Sequence, residues 1–278
     1  MTQNFIIHQQ AKQYQWSGEC FLSIKSFYGG SADYQVKQRE YKVDQSNFLI
    51  LNECTNYRLT IDSTEKTESF CVFFSPKFVE KVVADNSATD EELIDFRVKE
   101  QSGLRIFERN YVHQGKVSEL LKMGRKKTSA GQEALEKDEF YHELLNAILE
   151  QNRNALLDAR RLHTVKKATR EELYQRIWYV KDFLDCNYHR SLRLKELANI
   201  GLLSENHLLR NFKKLFGISP FHYISTKRIQ EARRQLLETD KSIQDIAFDI
   251  GYSSMGNFSS YFKSLVGQSP SAFRKGDI

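Results

Sequence analysis

The chain has 278 residues, with 41 Lys and Arg against 36 Asp and Glu, and 40% of its residues are hydrophobic. This length suits two ordinary domains. No run of about 18 apolar residues occurs, which excludes a membrane-spanning helix, and the first residues lack the basic start and apolar stretch of a signal peptide. We therefore expect a cytoplasmic protein with no membrane partner.

Charge and cysteine spacing narrow the class of protein further. Residues 1–163 carry 22 basic and 24 acidic side chains, whereas residues 164–278 carry 19 and 12. The basic C-terminal part favours a nucleic-acid partner only weakly, because a solvated surface can show the same excess by chance. The four cysteines have no CxxC or Cys/His spacing, so we expect neither a disulfide framework nor a zinc site.

Residues 5–75 contain short apolar runs, rich in aromatic and β-branched residues and separated by turn signals. The runs predict strands at 21–24, 41–43, 48–51, 57–61 and 70–74. The predicted turns are Gly29-Gly30, Asn52-Glu53 and the polar stretch 62–68. This spacing is typical of a β-sandwich or barrel. Tyr34, Tyr41 and Tyr57 either line a pocket or fill a core.

After Pro76 the period changes to that of helices. The pattern predicts a short helix at 78–83, a surface loop around 85–95 and a helix at 116–122. Between 133 and 162, apolar residues recur at spacings of three, four and seven, which predicts an amphipathic helix or helical hairpin. Its stripe either packs on its own sheet or pairs two subunits. The stripe consists of Phe140, Leu144, Leu145, Ile148, Leu149, Leu156, Ala159 and Leu162.

The second half is predicted to be entirely helical. Seven helices are expected, at 170–187, 191–199, 204–216, 220–238, 242–250, 254–266 and 270–275. Thr169 to Glu172 has the spacing of a capping box, and Ser219-Pro220 and Ser269-Pro270 each place a capping Ser before a Pro. Ser242 with Asp245 begins another helix. The basic stretch 163–168 is predicted to link the two halves.

An internal repeat is the most informative feature of the chain. Twice, a short helix is followed by a Gly-containing turn, a second helix with two large apolar residues, a terminal Gly and Ser-Pro. Leu208, Phe212, Gly217, Ser219, Pro220 and Tyr223 recur fifty residues later as Phe258, Phe262, Gly267, Ser269, Pro270 and Phe273. The repeat predicts two helix-turn-helix units, in which Ala198 and Ala247 allow close helix packing. The outer face of each second helix is then free to enter a major groove.

On these residues the chain resembles the AraC/XylS family of bacterial transcription regulators, over Gln175 to Gly276. The resemblance rests on Ala198 to Ser204, His207-Leu208, Arg210, Phe212-Lys213, Gly217 to Pro220, Tyr223, Arg228, Ala232, Leu236-Leu237, Ser242-Ile243, Ile246-Ala247, Gly251-Tyr252, Phe258, Phe262-Lys263 and Gly267 to Arg274. Three positions depart from the family pattern. Leu202 replaces the usual turn glycine, Gly256 stands where Ser is common, and Ser260 stands where many members have Arg.

The first half more loosely resembles the cupin-like sensor domain of this family, through the segments 68–76 and 107–109. The resulting fold class has an N-terminal, mainly β, cupin-like or jelly-roll domain with trailing helices and a C-terminal all-α domain of seven helices. We expect a sensor and dimerisation domain at 1–163 with helices at 133–163, a linker and the start of the first helix at 164–174, and an AraC-type DNA-binding domain at 175–276. Its two helix-turn-helix units span about 191–216 and 242–266.

The two large apolar residues of each second helix, which we call its anchors, are expected to face the core. They therefore identify the residues of that helix that project outward. The resemblance implies base contacts for Asn206, Leu209 and Arg210, and Arg210 is the strongest candidate because Arg can bond guanine O6 and N7 together. The second unit offers no such Arg, and we expect it mainly to position the protein. The full predicted set is Glu205, Asn206, Leu209, Arg210, Lys213, Lys214, Ser254, Met255, Asn257, Ser260 and Lys263.

Three functions compete for this chain. One is a double-stranded DNA-binding regulator, for which the resemblance favours activation, with RNA polymerase, a homodimer partner and an unidentified small-molecule effector as further partners. The others are a catalytic cupin fused to a helical module and a helical interaction adaptor. Only His8 and His113 among the histidines lie in residues 1–140, so no cupin metal set forms, and no catalytic constellation replaces it. We expect no enzyme activity, cofactor or metal.

Overall fold

The computed structural model describes residues 3–87, 104–129, 137–162 and 166–276. The chain divides into two compact units, residues 1–160 and 161–278. Within the described ranges, none of the helices combines the length and the apolar character needed to cross a bilayer.

The first unit is built on an antiparallel sheet. Its described strands are β1 (Phe5–Cys20), β2 (Ser23–Tyr28), β3 (Ala32–Val36), β4 (Arg39–Val43), β5 (Asn47–Leu51), β6 (Thr55–Phe73) and β7 (Asn110–Val112). The strand order is β4-β3-β6-β2-β5-β7, and β1 pairs with β6 outside this path. The central strand β6 pairs with β1 along most of its length, with β3 through its first half and with β2 through its second half.

The turn that we predicted at 62–68 is wrong, because β6 continues through it. β1 pairs with the two ends of this polar stretch, Gln10 with Glu68 and Gln13 with Asp62, whereas residues 63–66 form a bulge opposite Lys12 and have no strand partner among the described residues. The register shifts between Ala11 and Gln13. Neither β1 nor β3 was predicted from the sequence.

One face of the sheet is covered by three helices, α1 (Pro76–Ser87), α2 (Gly115–Ser129) and α3 (Lys137–Ala159). Leu144, Leu145 and Ile148 of α3 are fully buried in the same apolar cluster as Phe70 and Val72 of β6. Each such side chain contributes about 1.5–3 kcal/mol through burial. This part of the predicted stripe is therefore internal core.

The other face of the sheet encloses a second apolar core. Tyr34, Tyr41 and Tyr57 belong to this core and are buried. Lys25 is also buried there: its Nζ donates to the Tyr57 hydroxyl at 3.2 Å and lies 3.7 Å from the centre of the Phe73 ring. Burial lowers the pKa of Lys25 to about 8. The tyrosines thus fill a core around a lysine that no sequence pattern singled out.

The second unit is helical. Its described helices are α4 (Lys167–Asn187), α5 (Leu194–Ile200), α6 (Glu205–Phe216), α7 (Pro220–Glu238), α8 (Ile243–Asp249), α9 (Met255–Val266) and α10 (Pro270–Lys275). All seven predicted helices are found. The hydroxyls of Ser219, Ser242 and Ser269 cap α7, α8 and α10 as expected, each accepting from a backbone N–H three residues on.

The predicted capping box at Thr169 is wrong. Helix α4 begins at Lys167, and its N-cap residue, Lys166, makes no side-chain cap hydrogen bond. Thr169 therefore lies inside the first turn of α4, and residues 167 and 168 of the predicted linker are helical. Residues 163–165 of that linker, 88–95 of the predicted loop and 133–136 of the predicted helix lie outside the described residues.

Candidate nucleic-acid interface

The first helix-turn-helix unit consists of α5 and α6. The buried Leu197 and Ala198 form the inner face of α5. The Ser204 hydroxyl caps α6 by accepting from the His207 N–H at 3.4 Å. Leu208 and Phe212 are fully buried on α6, one helical turn apart. These two anchors fix which face of α6 is turned away from the core.

The outward face of α6 carries most of the predicted contacts of this unit. Asn206, Arg210 and Lys213 are exposed and, at spacings of four and three, lie along one face of the helix. Glu205 is exposed beside them. The two remaining predicted residues, Leu209 and Lys214, are half-buried. The described contacts place Arg210 in neither an ion pair nor a side-chain hydrogen bond, so its guanidinium is available to a partner.

The second unit, α8 and α9, has the same skeleton with a different outer surface. Phe258 and Phe262 are fully buried, at the positions equivalent to Leu208 and Phe212. The outward predicted residues of α9 are Asn257, Ser260 and Lys263, which are exposed, whereas Ser254 and Met255 are half-buried. The Ser254 hydroxyl accepts from the Asn257 N–H at 3.5 Å and so caps the helix.

A polar notch beside α9 contains residues that the sequence analysis missed. It has a volume of about 420 Å³ and is lined by Ser225, Tyr252, Asn257, Ser260, Tyr261 and Ser264. The hydroxyls of Tyr252 and Tyr261 are buried without a hydrogen-bond partner in the described chain. Burial raises the pKa of Tyr252 to about 12, so its hydroxyl stays protonated and can donate. The tyrosines were overlooked because aromatic residues in a repeat ordinarily predict core.

Polar contacts brace the long helix α7 against α4. The Tyr223 hydroxyl donates to Asp185 at 2.7 Å, and Lys181 Nζ donates to the other oxygen of the same carboxylate at 2.7 Å. Burial raises the pKa of the Tyr223 hydroxyl. Arg228 Nε donates to the Tyr188 carbonyl at 2.6 Å. Arg228, which contributed to the resemblance, is therefore a structural residue here.

The described residues include no group of three His, Cys, Asp or Glu side chains that could hold a metal ion. The groups of the helical unit that could bind a ligand are instead its exposed cationic side chains and hydroxyls. Among the exposed positions, α6 presents Arg210 and Lys213, and α9 presents Lys263. Such groups bind phosphate oxygens and base edges.

Comparisons with known proteins agree with this geometry. The family model described as a helix-turn-helix domain matches residues 197–276. The bifunctional transcriptional activator/DNA repair enzyme AdaA of Bacillus subtilis (strain 168) is 35% identical over 111 residues, which cover 39% of this chain and 53% of AdaA. An HTH-type transcriptional regulator of Staphylococcus aureus (strain COL) is 36% identical over 95 residues, covering 34% of this chain and 13% of that protein.

One solved structure also matches part of the chain. The DNA-binding domain of AdpA, a global transcriptional factor, in complex with a target DNA is 26% identical, with a TM-score of 0.35, covering 36% of this chain and 90% of that chain. The chain spans about half of AdaA and a smaller part of the staphylococcal regulator. The family model describes a helix-turn-helix domain, and the curated relatives are named as transcriptional regulators. The duplicated helical unit of the fold is consistent with both. The second unit therefore carries a helix-turn-helix domain over residues 197–276.

Proposed function

We propose that this protein is a sequence-specific, double-stranded DNA-binding transcription regulator. The observation that carries the proposal is the outward face of α6, where Asn206, Arg210 and Lys213 are exposed in one line while Leu208 and Phe212 hold the helix to the core. Arg210 reads guanine, and Lys213 neutralises a phosphate. Asn206 and Leu209 complete the base contacts that the family resemblance implies.

The second helix-turn-helix unit, α8 and α9, positions the protein on the duplex. Asn257, Ser260 and Lys263 make single contacts with the DNA, and Met255 supports them. The connecting helix α7 has 19 residues, so its length is about 28 Å at about 1.5 Å per residue. That length supports insertion of α6 and α9 into successive major-groove segments.

The remaining parts of the proposal rest on family resemblance. The relative AdaA is named a transcriptional activator, which favours activation over repression here. A contact with RNA polymerase, a homodimer and an effector bound by the first unit stay predictions. The homodimer finds no support in the α3 stripe, because Leu144, Leu145 and Ile148 are internal core. We propose no catalytic role for either unit.

A footprint of the full-length protein on the DNA upstream of its own gene tests the proposal. We expect a protected site whose affinity falls linearly with the logarithm of salt concentration, because each neutralised phosphate releases a counterion and contributes about −0.9 to the slope. Mutating the central bases of that site should weaken binding more than mutating flanking bases. Equal affinity for the site and for unrelated DNA would refute sequence-specific regulation and favour the adaptor.

A further inference from the structure

The first unit contains a polar cleft that the proposed DNA contacts do not use. Its volume is about 750 Å³, within the range of small-molecule sites. The lining side chains come from β1, β6 and α2: His8, Gln9, Gln10, Glu68, Lys122, Arg125, Lys126 and Ser129. None of these side chains is an apolar residue, so the cleft suits a hydrophilic ligand.

The negative charge of Glu68 is already balanced within the cleft by the positive charge of Arg125. Arg125 donates to both carboxylate oxygens of Glu68, from Nε and from the second terminal nitrogen, at 2.8 Å each, and His8 Nε2 lies 2.7 Å from one of them. The hydrogen bonds from Arg125 lower the pKa of Glu68 to about 2. Glu68 therefore stays ionised at neutral pH and holds Arg125 in place, while the Arg125 guanidinium stacks 3.9 Å from the centre of the Tyr28 ring.

Lys122 and Lys126 then supply an excess of positive charge. They lie four residues apart on α2, so both face the cleft beside Arg125. Neither lysine forms an ion pair or a hydrogen bond with any described residue. Among the described residues, Glu68 is the only carboxylate that lines the cleft, and Arg125 neutralises its charge. Two unpaired ammonium groups at the edge of a concave polar surface attract an anion.

Side chains of the described residues occupy the inside of the sheet. Tyr34, Tyr41 and Tyr57 fill it around Lys25, whose ammonium group already contacts Tyr57 and Phe73. A ligand of the first unit therefore has more room in the cleft between β1 and α2 than inside the sheet.

We propose that the cleft between β1 and α2 binds a small hydrophilic anion carrying a phosphate or carboxylate group, held by Lys122 and Lys126. Gln9 and Gln10 supply amides for the neutral polar groups of the ligand. Anion binding itself is independent of DNA binding, whereas its role as an effector site rests on the proposed function.

Titration calorimetry of the full-length protein tests the site, with inorganic phosphate, citrate, glucose 6-phosphate and uncharged glucose as probes at matched ionic strength. We expect saturable binding of at least one anion and none of glucose. The double substitution Lys122→Ala with Lys126→Ala should weaken that binding at least tenfold. Lys127→Ala removes the same charge from the same helix outside the cleft, and should leave the affinity unchanged.

The outcomes separate the sources of the anion and the two proposals. Phosphate binding without citrate binding identifies a phosphorylated ligand, and the reverse identifies a carboxylate. No saturable binding of any anion up to about 10 mM overturns the site, as does equal weakening by Lys127→Ala. A double variant that loses operator affinity yet binds anions normally also overturns it, because its lysines would contact DNA. Anion binding by a protein that fails to bind DNA would leave the site intact and refute the regulator.

Discussion

The two helix-turn-helix units share one scaffold but differ in the surface that they present. In both, a Ser hydroxyl caps the second helix, two buried anchors hold it, and a glycine with positive φ, Gly217 or Gly267, ends it. At equivalent exposed positions, however, Arg210 of the first unit corresponds to Ser260 of the second. The comparison teaches that the buried anchors define the unit, whereas exposed positions can diverge because they contribute little to its stability.

The turns of the two units differ in a second way. Leu202 adopts φ +52° in the first unit, and Gly251 adopts φ +92° in the second. Both residues lie four positions after the small residue of the first helix, Ala198 or Ala247. The second turn is one residue longer before its capping Ser. The second turn also brings its backbone close to the backbone of another segment, since a Cβ at Gly251 would lie 2.5 Å from the His189 carbonyl oxygen.

The largest effect is expected from Gly251→Ala, which tests whether the second turn requires glycine. The new Cβ would collide with the His189 carbonyl, and the positive φ adds backbone strain. We expect the free energy of unfolding to fall by about 2–4 kcal/mol in urea titrations of the full-length protein. Gly256→Ala is the matched control, because its Cβ would meet only the Ser254 hydroxyl, at 3.7 Å. Equal effects of the two substitutions would contradict the close approach.

A smaller effect is expected from Arg210→Ala, which tests whether the two units read DNA unequally. Losing a bidentate contact should weaken operator binding by about 1–3 kcal/mol and relax the preference at one base pair. Ser260→Ala, at the equivalent position of α9, should change the affinity by less than about 0.5 kcal/mol. Binding assays over a panel of operators with single base changes measure both effects.

Two results would count against unequal reading. A uniform loss of affinity for every operator in the Arg210→Ala variant would make Arg210 a phosphate contact. Equally strong base preferences in both halves of the site of one monomer would show that α9 reads sequence as α6 does.

The smallest effect is expected from Leu202→Gly, the reverse of the first substitution. A non-glycine residue in the left-handed region costs about 1–2 kcal/mol, and the greater freedom of glycine in the unfolded chain offsets part of the gain. Leu202 is 73% exposed, so its removal loses little burial. We expect the free energy of unfolding to rise by about 0.5–1 kcal/mol in the same urea titrations. A decrease would mean that the Leu202 side chain stabilises the first turn.

Almost all of the helical unit, residues 161–278, could be predicted from the sequence alone. Capping serines, the i and i+4 anchors and the terminal glycines are short-range signals, so they predicted seven helices and the outward face of α6. Capping chemistry failed at Thr169, because a helix can continue past a good capping residue when the preceding residues also accept helical geometry. The two Tyr hydroxyls beside α9 could not be predicted from the sequence, because their lack of hydrogen-bond partners depends on how α7 and α9 pack.

The organisation of the first unit, in contrast, depends on contacts between segments that are distant in the sequence and could not be predicted from it. The polar stretch 62–68 belongs to β6 because β1, about fifty to sixty residues earlier in the chain, pairs with both of its ends. The stripe on α3 is core because Phe70 and Val72 of the sheet meet it. His8, Glu68 and Arg125 form one cluster although they are about sixty residues apart in turn. Periodicity and capping act within a few residues, whereas strand pairing and the convergence of side chains depend on segments that only the complete fold brings together.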